Sequence, residues 1–209
     1  MRGLFIVLEG CDRSGKSTQC HQLVKQLQAK GYSAQYRNFP NRTTQTGKMI
    51  DSYLRQATEL DDHAVHLLFS ANRWEAMNSI KDTLESGITL VVDRYAFSGV
   101  AFSSAKGLDL NWCKQPDVGL LSPDVVVFLD LSIDEAEKRG GYGEERYERR
   151  ELQTKVRNQF MKLKDDTWKV VNAAQSAEQV EKGIWSIVEA ALSTSTNQRK
   201  SLLYSLWKD

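Results

Sequence analysis

Short apolar runs recur along the chain, separated by stretches with helical spacing. Leu4–Leu8 is a continuous apolar run ending at Glu9 and a glycine-bearing turn, as expected of a strand buried on both faces of a parallel sheet. Ser17–Lys30 then sets Cys20, Leu23, Val24 and Leu27 on one helical face, with Gly31 as the stop. Ser33–Arg37 reads as a second strand. Asp61 and Asp62 offer a cap and an acidic first turn for one long helix over Asp61–Ser86, carrying Leu67, Leu68, Ala71, Ile80 and Leu84 and stopping at Gly87. Ile88–Val92 and Val125–Leu131 are further β-branched runs, and Ser132–Glu135 fits a capping box. Trp168–Val171 makes a short fifth strand, and Ile184, Ile187, Val188 and Ala191 mark a late amphipathic helix. Strand and helix alternate throughout, which predicts an open three-layer α/β sheet. With no internal repeat or linker-like stretch, the 209 residues are expected to form one domain, 1–209.

Composition narrows the function classes. Lys and Arg number 28 against 27 Asp and Glu, a net charge of +1. An obligate nucleic-acid binder needs a net basic stripe, so no nucleic-acid partner is expected. Size and charge together exclude helicases and other large ATPases. Cys11, Cys20 and Cys113 are odd in number and have no metal-like spacing, which implies reduced thiols rather than a disulfide framework or a zinc site. No run approaches the ~18 apolar residues of a membrane span, and Glu9 directly after the first run is unlike a leader. A cytoplasmic protein with no membrane partner is expected, a nuclear or mitochondrial pool being left open.

The first strand leads into Gly10-Cys11-Asp12-Arg13-Ser14-Gly15-Lys16-Ser17, a full GxxxxGK[ST] match placed after a buried strand and before a helix. Glycines let such a loop curl so that backbone N–H groups, including that of Thr18 in the first turn, face phosphate oxygens. Lys16 then reaches the β- and γ-phosphates of ATP, and the Ser17 hydroxyl is a ligand for Mg²⁺. Asp93 closes a buried run at Leu90-Val91-Val92, where a P-loop protein holds Mg²⁺ through water; Asp93 and Arg94 should face the phosphates. Position alone also allows Asp93 as a helix cap. A guanine-reading switch would need [NT]KxD, and Thr154-Lys155-Val156-Arg157 lacks the Asp.

Four further segments occur in order: Arg13 inside the P-loop, Phe39-Pro40-Asn41-Arg42, Leu68-Phe69-Ser70-Ala71-Asn72-Arg73-Trp74-Glu75, and Asp93-Arg94-Tyr95-Ala96-Phe97-Ser98-Gly99. With Asn111–Asp117 and Arg139 through Glu148, they make the chain closely resemble the thymidylate kinases of eukaryotic type, in the nucleoside monophosphate kinase group. The resemblance implies a P-loop kinase fold with a five-stranded parallel sheet, a short mobile lid near 138–150, and transfer of the ATP γ-phosphoryl group to dTMP with Mg²⁺. It also implies a homodimer, for which the Asp61–Ser86 helix and the Asn111–Pro116 region supply apolar surface.

The resemblance assigns roles residue by residue. Arg42, beside Phe39, resembles the arginine that grips the acceptor phosphate, which suits a planar fork. Phe69 resembles the ring stacked on thymine, and Arg73 the donor that meets thymine O4, where cytosine would present a second donor. Spacing alone would equally make Phe69 a core residue, and without the resemblance Arg73 reads as a solvated helix charge. Asp12 resembles the acceptor for the sugar 3′-hydroxyl, Phe102 the bulk where a 2′-hydroxyl would sit, and Gly99 the close-approach position beside them. In the lid, Arg139 lies against adenine and Tyr147 near the acceptor, with Gly140, Gly141 and Gly143 giving backbone freedom; read without the resemblance, the segment is a self-neutralising charged loop leading into a helix. Arg13 in the P-loop resembles the eukaryotic arrangement, so transition-state stabilisation falls to it rather than to the lid. Cys11 is either a small residue fitting a tight loop or a thiol activated by the helix start. Trp74, Trp168 and Trp185 read as core. A kinase with another acceptor and a non-catalytic nucleotide binder are the competing readings; intact Lys16, Ser17, Asp93, Arg13 and Arg94 oppose the second, and Arg42 has no purpose for a neutral nucleoside.

Overall fold

The computed structural model describes residues 2–139, 145–198 and 204–208, without the side chains of 194–198. In chain order the elements are β1 (Phe5–Glu9), α1 (Lys16–Ala29), β2 (Ala34–Asn38), α2 (Gln45–Leu54), α3 (Asp62–Trp74), α4 (Met77–Glu85), β3 (Thr89–Asp93), α5 (Ala96–Ala105) and α6 (Leu110–Lys114). A 3₁₀ turn at Gln115–Asp117, β4 (Val125–Asp130), α7 (Ile133–Glu137), α8 (Arg150–Leu163), β5 (Trp168–Asn172) and α9 (Ala177–Gln198) follow. The strands form one all-parallel sheet in the order β2-β3-β1-β4-β5, with Val7 opposite Val92 on one side and Val126 on the other.

Alternation along the central strands sends side chains to two apolar layers. Phe5, Val7, Leu90, Val92, Val126 and Phe128 pack beneath α2 to α5 and α8, while Ile6, Leu8, Val91, Val127 and Leu129 face α1 and α9. The connection leaving β1 runs toward β2, whereas the one leaving β3 crosses to β4. Between β1 and β3 the winding therefore reverses, and a crevice opens at their carboxyl ends.

Two expectations need correction. The long Asp61–Ser86 helix is two helices, because Glu75 and Ala76 form a turn in which the Ala76 N–H bonds back three residues to the Arg73 carbonyl. The break leaves Asn72 and Glu75 bonded to Thr46 while Ile80 and Leu84 turn fully into the core. Trp74 is not core: it is 42% exposed and donates its indole N–H to the Pro116 carbonyl. Trp168 is buried as expected, and Trp185 is only partly so.

Candidate active site

The loop after β1 curls tightly because three of its residues take positive φ: Gly10 at 150°, Arg13 at 63° and Gly15 at 92°. At Gly10 a Cβ would sit 2.7 Å from the Leu129 carbonyl oxygen, so glycine is required on space as well as conformation. Arg13 and Arg94 (φ 66°) are non-glycine residues in the left-handed region, each strained by about 1 kcal/mol, and both face the crevice. The α1 N-terminus opens directly from Gly15 with no side-chain cap, which leaves its N–H groups to a phosphate.

A cleft of about 400 Å³ runs from this loop to α3 and α5. On the P-loop side it is lined by Asp12, Arg13, Gly15, Lys16, Ser17 and Thr18. Its remaining lining includes Phe39, Arg42, Phe69, Arg73, Gly99, Phe102 and Tyr147, together with Asp93 and Arg94. Of the residues expected to bind ATP, Gly10, Ser14 and Arg139 do not line the cleft. Arg139 brackets the mouth, donating to the Arg13 and Ala173 carbonyls at 2.8 and 2.6 Å. Residues 140–144, including the lid glycines, lie outside the described residues.

Charge is concentrated and paired. Lys16 donates to the Cys11 carbonyl at 2.7 Å and Ser14 Oγ at 3.3 Å; burial, and then Arg94, lowers its pKa. Ser17 Oγ donates to Asp93 Oδ2 at 2.5 Å, while the buried Asp93 Oδ1 has no hydrogen-bond partner among the described residues. Arg94 bonds Asp12 and the Gly10 carbonyl. Arg13 Nε donates to Glu148 at 3.0 Å, and Arg42 bridges Asp51 and Glu145 at 2.7 and 2.8 Å. Two carboxylates of the segment before α8, Glu148 and Glu145, thus sit on the two arginines expected to meet phosphate. Arg73 is no solvated charge: it is 2% exposed, in a bidentate pair with the fully buried Asp117. Gly99 supplies the room, since a Cβ there would lie 2.8 Å from Arg73 Nη2. Phe69 is half-buried yet reaches the cleft, and Phe102 packs 5.3 Å from Tyr147.

Several supporting residues carry no sequence motif. Gln153 on α8 accepts from the Asp12 N–H and donates to the Asp12 carboxylate and the Tyr147 carbonyl, tying the P-loop to the lid's end. Glu9, fully buried, accepts from Tyr95 N–H, Ser98 N–H and Ser98 Oγ, and so caps α5 beneath Arg94. Glu9 alone had a signal, an acid closing an apolar run.

A family model described as thymidylate kinase matches residues 8–184. A human thymidylate kinase is 51% identical over 211 residues, covering 99% of this chain and 98% of its own. The thymidylate kinase of Arabidopsis thaliana is 52% identical over 205 residues, covering 98% of this chain and 78% of its own. The solved structure of the Candida albicans thymidylate kinase superposes with a TM-score of 0.88 at 37% identity, covering 98% of both chains.

Proposed function

The chain belongs to the thymidylate kinase family, and from that premise we propose which residues of the cleft carry out its reaction, the phosphorylation of dTMP to dTDP by ATP. The observation that carries the assignment is one cleft joining a P-loop at one end to a buried, oriented arginine beside a half-buried ring at the other. Gly10, Ser14, Gly15, Lys16, Ser17 and Thr18 bind the ATP phosphates through loop amides and the Lys16 ammonium, and Arg139 flanks the adenine. Ser17 and Asp93 would hold Mg²⁺. The donors fit a hard cation, because a buried carboxylate oxygen without a hydrogen-bond partner among the described residues lies beside a hydroxyl, and Mg²⁺ takes few protein ligands. When bound, Mg²⁺ neutralises charge on the β- and γ-phosphates.

Arg42 binds the acceptor phosphate, Phe69 stacks on the base, and Arg73 donates to thymine O4. Asp12 accepts from the 3′-hydroxyl, Phe102 fills the 2′ side, and Phe39, Gly99 and Tyr147 shape the walls. Arg94, bonded to Asp12 and lining the cleft, and Arg13 stabilise charge as the phosphoryl group moves. The 209 residues act as one kinase domain, dimeric and cytoplasmic. Among the described residues no helix is long and apolar enough to cross a membrane.

A coupled assay with ATP–Mg²⁺ against thymidine, dTMP, dUMP, UMP, dCMP and dGMP tests the reading. The expected order places dTMP first and thymidine at background. Phosphorylation of thymidine in preference to dTMP would remove Arg42 from its role.

A further inference from the structure

The last described residues of the chain lie far in sequence from the base pocket yet are bonded to the loop that builds it. Leu206 donates its N–H to the Leu120 carbonyl at 2.6 Å and accepts from the Gly119 N–H at 3.0 Å, while the Tyr204 carbonyl accepts from Ser122 at 2.8 Å. Ser205 pairs with Leu121 as an antiparallel bridge. The Leu206 side chain is 4% exposed within the core layer that holds Phe97 and Leu120. Trp207 stands edge-on to Phe97 at 5.6 Å and lies under the Lys114 ammonium at 5.6 Å. The terminal segment is therefore a strap across residues 119–122, closed by an apolar plug and a ring.

What the strap holds is the rear wall of the pocket. Asp117 immediately precedes the strapped loop, and its carboxylate fixes the Arg73 guanidinium through two bonds and accepts a third from Ser70. Leu121 accepts from the Tyr95 hydroxyl at 3.0 Å, one residue beyond Arg94, and Phe97 belongs to the same first turn of α5. Arg73 is gripped between Asp117 and the bare backbone of Gly99, so the direction of its remaining donors follows the position of the loop. A bidentate carboxylate pair transmits such displacement directly, because its two bonds fix the guanidinium plane.

We propose that Tyr204–Lys208 is a positioning element for base selection, acting through Leu120 and Asp117 on Arg73. The proposal rests on the reading of Arg73 as the residue that meets the base. Among the described residues the strap's hydrogen bonds go to residues 119–122 and its ring contacts to Phe97 and Lys114, on the base-pocket side, so its contribution belongs to the acceptor and not to ATP.

The test compares the full chain with a chain ending at residue 203 and with Leu206→Ala, Leu206→Met, Trp207→Ala and Arg73→Ala. Each is assayed with ATP against dTMP and dCMP. The shortened chain and Leu206→Ala are expected to raise KM for dTMP about tenfold and to erode the dTMP-over-dCMP preference in the direction of Arg73→Ala. KM for ATP should stay within about twofold, and Leu206→Met should restore both dTMP values. Should the shortened chain not fold, the Leu206 and Trp207 variants make the same comparison. A preference that holds in the strap variants while Arg73→Ala collapses it overturns the strap, as does an equal rise in KM for both substrates. A preference unmoved by Arg73→Ala overturns the base-reading role itself, and the strap's role with it.

Discussion

Arg13 takes up a left-handed backbone that glycine adopts freely, and its guanidinium is held at the cleft by Glu148. Replacing it with glycine should therefore leave the loop intact while removing one preorganised charge. Arg13→Gly is expected to lower kcat by roughly 10²–10³, with ATP affinity changing only several-fold, since Lys16 and the loop amides remain. Arg146→Ala should cost clearly less: that guanidinium is engaged outside the cleft, by the Tyr53 and Thr58 carbonyls and Glu59. Titration showing ATP affinity falling in step with rate would make Arg13 a ground-state ligand. Cys11 gives a second residue-scale outcome. Burial pushes its thiol up to about 12, and its sulfur points to the Gln153 carbonyl, so it is a small loop residue and not an activated nucleophile. Alkylation by iodoacetamide at pH 8 should be at least ~10²-fold slower than for a free thiol, and rapid labelling of Cys11 would contradict this. The P-loop was legible because its residues are contiguous and its chemistry fixes their spacing. Asp117 and Gln153 were not, because their partners stand 44 and 141 residues away and only the packing of helices brings them together.

At the scale of elements, His66 shows how α3, α5 and α6 are locked together. Its ring is buried, with Nδ1 on Ser103 Oγ at 2.8 Å and Nε2 on the Cys113 carbonyl at 2.9 Å. Burial first, then Arg73, lowers its pKa; Lys106 acts in the same sense, the Cys113 carbonyl and Asp117 in the opposite one. The folded chain thus keeps the ring neutral, and below the ordinary histidine pKa of ~6.5 the unfolded chain binds the extra proton. Stability from this group is present above that pH and falls as pH drops toward 5, with a slope of at most about 1.4 kcal/mol per pH unit. Denaturant midpoints measured from pH 7 to 5 should fall more for the native chain than for His66→Gln. An equal fall in both would remove His66 as the cause. The strands and α1 were legible in the hydrophobic pattern because each is buried on a fixed period. The break between α3 and α4 was not. No glycine or proline marks it, and it follows from side-chain bonds that tie Asn72 to Asn41, Glu75 to Thr46 and Trp74 to Pro116, all far off in the chain.

For the molecule as a whole, α3 faces two ways. Phe69 and Arg73 look into the cleft, whereas Leu67 and Trp74, two helical turns apart, remain 48% and 42% exposed, and Met49 on the adjoining α2 is 51% exposed. Large apolar side chains seven residues apart share one helix face, and a face of this kind suits a twofold contact in which each copy presents the same patch to the other. Trp112 of α6 packs on His63 and His66 of α3, so the Asn111–Pro116 region stiffens α3 from behind. Light scattering at micromolar concentration is accordingly expected to give about twice the 23.7 kDa of one chain. Leu67→Arg places a charge at the contact twice over by symmetry and should return the mass to that of one chain with the fold retained. Because the same helix carries Phe69 and Arg73, the dissociated variant should also lose dTMP affinity more than ATP affinity. A single-chain mass for the native protein, or a dimer unaffected by Leu67→Arg, would place the interface elsewhere or abolish it.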